Sequence, residues 1–95
     1  MQYLAALRRR TEAHPAERFT DLLDAEADRV RELYAAGIIR EVFSRGDVLG
    51  AVLRLEAPDE EAARAAVASL PLFAHDMLEL QLLVPLLPFR AFVPQ

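Results

Sequence analysis

Ninety-five residues with no cysteine and a net charge of −4 describe one acidic domain, without disulfides and without room for a second core. An acidic balance with no basic stripe opposes binding to phosphate backbones, which argues against nucleic acid as a partner. Apolar residues make up 54 % of the chain, more than so small a domain hides alone, so part of that surface is expected to meet another subunit.

Lysine is absent, so every side-chain cation at neutral pH is an arginine. The apolar start, Met1 to Leu7, is followed by Arg8-Arg9-Arg10, the reverse of a signal peptide's order. No apolar run approaches the length of a membrane span. The expectation is a cytoplasmic protein with no membrane partner.

In chain order, Gln2 to Arg8 reads as a first strand and Arg8 to Pro15 as a polar loop. From Pro15 to Ala36 the pattern is helical: Phe19, Leu22, Leu23, Val30 and Leu33 recur at three- and four-residue spacing, and Gly37 suits the C-terminal cap. Ile38 to Arg45 is β-branched and aromatic, hence a strand, with Gly46-Asp47 at a hairpin turn and Val48 to Glu56 as its partner. In that partner Leu49, Ala51, Leu53 and Leu55 share one face. Pro58-Asp59-Glu60-Glu61 is a helix start, with an Asp at the cap and acids in the first turn; this second helix runs to about Ser69.

Leu70-Pro71-Leu72-Phe73 is a corner, and a strand follows it. Alternation puts Leu78, Leu80, Leu82 and Val84 on one face and Met77, Glu79, Gln81 and Leu83 on the other. Residues 85–94 are apolar but broken by Pro85, Pro88 and Pro94, and are expected to form an arm lying on a neighbouring subunit. The order is βαββαβ in one α+β domain: a four-stranded antiparallel sheet with two helices on one face. Its other face would be covered by a second copy.

Glu26 is the most informative single residue. At 100° per residue it falls about 20° to one side of Phe19, with Val30 about 20° to the other, within the stripe that should face the sheet. Burial there would raise its pKa and make it a candidate general acid or base; leaning to the helix edge, or pairing with an arginine, is the plainer alternative. Glu79, Arg54 and Arg40 are candidates for the open face of the sheet, either as a structural ion pair or as an anion-binding arginine beside a carboxylate. His75-Asp76 is a corner dipeptide, and His14 precedes a proline in a loop. No Cys/His cluster, phosphate-binding glycine loop or nucleophile elbow is present, so no metal or cofactor is expected.

The Leu70-Pro71-Leu72-Phe73 corner, with Glu79 in the following strand, Gly37 to Arg40 at the helix-to-strand junction and Glu26 in the first helix, resembles the muconolactone isomerase family. The resemblance implies a ferredoxin-like fold, dimers that pack sheet to sheet into an α+β barrel, and rings of such dimers. It also implies cofactor-free movement of a double bond in a small unsaturated lactone or acid, with Glu26 and Glu79 catalytic. Arg40, Arg54, Leu4, Ala6, Phe73 and His75 would then surround the substrate. Leu4 and Ala6 stand where that family carries ionisable side chains, and Leu87-Pro88-Phe89 where it has His-Pro-Ser. Those replacements suit the alternative, a non-catalytic module that binds a small apolar or weakly acidic molecule, or only assembles.

Overall fold

The computed structural model describes residues 1–94. Strand β1 (Gln2–Arg9) is followed by helix α1 (Ala16–Ala35), strands β2 (Ile39–Ser44) and β3 (Gly50–Glu56), helix α2 (Glu60–Ala68), a one-turn helix α3 (Pro71–Ala74) and strand β4 (Leu78–Leu86). A single 3₁₀ turn, Arg90–Phe92, lies beyond β4. The strands form one antiparallel sheet in the order β2-β3-β1-β4. This is the expected ferredoxin-like α+β arrangement. No helix of the described residues is long and apolar enough to cross a membrane.

Local chemistry sets the joints. Gly37 adopts φ +78°, and two bonds close the end of α1: Ile38 N–H donates to Leu33 O at 2.9 Å and Gly37 N–H to Tyr34 O at 3.0 Å. That is the paired closure which favours glycine at the left-handed position. The same closure recurs after α3, where Met77 N–H donates to Leu72 O and Asp76 N–H to Phe73 O. There the left-handed residue is Asp76, φ 61°, one of the few side chains that tolerate it. Arg10 and His14 from the first loop bond the Asp76 carbonyl at 3.0 Å each and lock the corner. At the start of α2, Asp59 accepts from Ala62 N–H at 2.8 Å, as its sequence pattern predicts.

The core lies between the sheet and the helices. Tyr3, Ala5 and Leu7 of β1, Leu53 and Leu55 of β3, Phe19 and Leu33 of α1, and Ala63 and Val67 of α2 are all buried there. Gly50 is required where β3 meets β1: a Cβ on it would stand 2.1 Å from Leu7 O.

Strand β4 departs from the alternation read in its sequence. Ala6 pairs with Leu82, but Leu7 pairs with Leu80, so Gln81 is an extra residue on β4. A bulge of this kind reverses the side-chain phase beyond it. Leu78 is buried and Leu80 packs against the core; past the bulge Leu83 takes the core side. Leu82 and Val84, placed by alternation with Leu78 and Leu80, sit instead opposite Ala6 and Leu4 on the uncovered face. Strand β4 also runs two residues further than its sequence suggests and includes Pro85, which an edge strand tolerates. A second irregularity, between Ile39 and Glu41, leaves Arg40 outside the ladder of β2 with β3.

Candidate functional site

A cavity of about 150 Å³ lies between α1 and the helix-covered face of the sheet. Arg9, Glu26, Ser44 and Gly50 bring polar atoms or bare backbone to its wall; Leu7, Val30, Leu53 and Leu72 make it apolar. Glu26 faces the sheet, as the helical spacing predicts. Its Oε1 accepts from the Leu72 backbone N–H at 2.9 Å, one of the donors that the first turn of α3 leaves free. Among the described residues Oε2 has no hydrogen-bond partner, and no fully buried side-chain oxygen lacks one. Oε2 is therefore the accessible oxygen of the pair.

Burial pushes the Glu26 carboxyl above its ordinary value; the Leu72 N–H and the nearby Arg9 charge pull the other way without cancelling it. Arg9 is half-buried and makes no ion pair within the described residues. Its guanidinium carbon stands 5.5 Å from the centre of the Phe19 ring, a cation–π arrangement that holds the charge without neutralising it. Arg9 also borders a neighbouring hollow of about 350 Å³ with Thr11, His14 and Thr20. One free guanidinium thus stands between an inner, largely apolar chamber and a more polar outer one.

The other residues singled out from the sequence lie elsewhere. Arg54 Nε bonds Glu41 Oε1 at 2.6 Å on the uncovered face, with Gln2 as a further acceptor at 3.2 Å. Glu79 accepts from Arg8 at 3.0 Å on the same face, which holds its carboxyl below the usual range. Leu4 and Ala6 are on that face too, half-buried between β3 and β4. Arg40 is exposed at its irregularity, Phe73 is half-buried on α3, and His75 is the exposed residue that ends α3. The sheet itself therefore separates Glu26 from Glu79, Arg54, Leu4 and Ala6, and the candidates do not form one cluster.

Arg9 and Ser44 were not among the candidates. Arg9 shares the phase of Tyr3, Ala5 and Leu7 along β1, which is the signal that marks it as inward-facing. No group of three or more His, Asp or Glu side chains among the described residues is placed to hold a metal ion. No family model matches the chain, and no curated protein matches it. Fold and cavity define an α+β domain of ferredoxin-like topology with one accessible carboxylate beneath its first helix.

Proposed function

We propose that the chain is a cofactor-free isomerase-like enzyme that moves a double bond by proton transfer in a small unsaturated lactone or acid. Glu26 Oε2 carries the proton. The supporting observation is the division of labour on that carboxylate: one oxygen is fixed by the Leu72 N–H and the other is unbonded, on a side chain that borders an apolar cavity. A carboxyl raised above its ordinary value by burial is better matched to such transfer than an exposed one. In the forward sense the C–H bond beside the carbonyl breaks, its proton moves to Glu26 Oε2, and the electron pair spreads over the carbonyl-conjugated system. The same proton then returns to the far carbon. Arg9 offers positive charge to the oxygen where negative charge builds. At about 150 Å³ the chamber is below the usual range for drug-sized ligands and suits only a small molecule.

The same reading includes a second copy covering the open face of the sheet. Phe43, Val52, Ala6 and Leu82 form an apolar row across all four strands. The ion pairs of Arg54 with Glu41 and of Arg8 with Glu79 rim it, the anatomy of an interface with an apolar centre and polar border. A cytoplasmic location and small-molecule partners belong to this reading as well.

The test is turnover of a panel of small unsaturated lactones and acids by wild type and Glu26→Gln, which keeps size and an acceptor for Leu72 N–H. A loss of at least about a hundredfold in kcat is expected for removal of the proton carrier. Equal turnover of an accepted substrate by the two proteins would leave Glu26 with only its role at α3.

A further inference from the structure

The molecule carries two apolar features that the proposed chemistry does not use. The first is the arm, residues 87–94, in which Leu87, Phe89 and Phe92 are exposed at 76 %, 72 % and 82 %. Phe89 and Phe92 lean on one another with ring centres 6.1 Å apart, forming a two-ring knob. Pro85 and Pro88 fix backbone angles and hold the residues before them extended, so the arm is stiff at its root. The molecule accordingly extends 53 Å along its long axis against 27 and 20 Å across.

The second feature is a groove of about 310 Å³ between the end of α1 and the start of α2. Leu33, Ile38, Pro58, Ala62, Ala65 and Ala66 give it an apolar lining, bordered by Arg29 and Glu56. Small side chains leave space there that no residue of the same chain fills. Of the other large hollows, one is the Glu26 chamber, one is bordered by Arg9, Thr11 and His14, and one is made by the root of the arm itself. The groove is the hollow whose chemistry suits two phenyl rings.

We propose that the arm is a clasp, with the Phe89–Phe92 knob of one copy seated in the α1–α2 groove of a second copy. This rests on the reading that two copies pack through their open sheet faces, and area argues that the clasp is needed. Four strands spaced ~4.8 Å and seven residues rising ~3.4 Å each give a face of roughly 450 Å². A standard stable interface covers about 800 Å² per partner. An apolar segment of eight residues from each copy makes good most of that shortfall.

Reach permits the seating. Leu86, Gln2 and Glu56 are register neighbours at one end of the sheet, and Glu56 borders the groove. The arm therefore begins at the end of the molecule where the groove opens. Packed sheets lie ~10 Å apart; Leu87 to Phe89 span roughly 10 Å when extended and the 3₁₀ turn Arg90–Phe92 adds ~6 Å, which carries the knob round the end of the second copy's sheet. Because the arm is already stiff, little freedom is lost on docking.

The chain has no tryptophan, so Phe92→Trp supplies a single fluorescent reporter. Its emission is expected to shift to the blue as concentration rises and the protein associates. The exposed groove variant Ala65→Glu, made in the same background, should abolish the shift. By sedimentation, Phe89→Ser/Phe92→Ser and Ala65→Glu should each weaken association at least about tenfold, and their combination no further, since both break one contact. Blue emission at every dilution would mean that the knob folds into its own groove, and red emission in the associated protein that it seats nowhere; either overturns the clasp. Additive losses overturn it too. A wild type that never associates would instead remove the sheet-face reading, and the clasp with it.

Discussion

The two faces of the sheet use the same residue types to opposite ends. On the helix-covered face the residues are almost all apolar, and the one carboxylate, Glu26, is held by a backbone N–H and borders a cavity. On the open face and its border the carboxylates lie beside cations: Glu41 by Arg54, Glu79 and Glu12 by Arg8, Asp47 by Arg45, and Glu56 by the N-terminal ammonium. Charge on the open face is thus neutralised at the border of an apolar row, and charge on the covered face is left available. In the proposed reading chemistry and assembly use opposite sides of one sheet, so each can be changed without the other.

The sharpest way to break that comparison is to truncate matched leucines. Leu55→Ala, fully within the core, should cost about 2–5 kcal/mol in urea unfolding, through lost burial and the cavity left behind. On the open face Leu82, 43 % exposed, should behave differently. Leu82→Asp is expected to change the unfolding free energy of the dilute monomer by less than about 1 kcal/mol, while sedimentation equilibrium shows association weakened at least about tenfold. Equal stability losses at the two positions would show that the faces are not distinct.

A smaller effect sharpens the electrostatic half of the contrast. Glu26 is raised above its ordinary value of 4.5 by burial, so in the window between that value and its folded one the native state binds more protons than the unfolded chain. Stability therefore falls as pH rises through that window and is flat above it. Glu12 and Asp47 are drawn down to about 2 by Arg8 and Arg45. They act in the opposite sense, adding stability above their ordinary values that is lost as pH falls toward 2. Glu26→Gln should abolish the decline on the alkaline side of 4.5 and leave the acid limb in place, read from urea midpoints between about pH 3 and about pH 8.

Much of this was legible in the residues. Gly37 and Asp59 act through local hydrogen bonds, so their effects are visible in a few neighbouring letters. The 100° spacing of Phe19, Glu26 and Val30 fixed which way Glu26 points. That its oxygen would meet Leu72 N–H was not legible, because that bond joins elements 46 positions apart. The sequence pattern of β4 failed for a related reason: a bulge is a property of the pairing between two strands, and nothing in Leu80-Gln81-Leu82 announces it. Arg9 was not legible because the first strand reads as ending at Arg8; β1 continues to Arg9, and strand parity then sends Arg8 and Arg9 to opposite sides.

Gln81 carries a further meaning. One inserted position turns the second half of β4 over, so what this strand offers to the outside is governed by how its residues pair as well as by which ones they are. Deleting Gln81 would leave Leu82 and Val84 outside by plain alternation from Leu80, whereas taking Gln81 into the ladder would turn them inward and send Leu83 out. Surveys that replace side chains one at a time, however thorough, are blind to that lever.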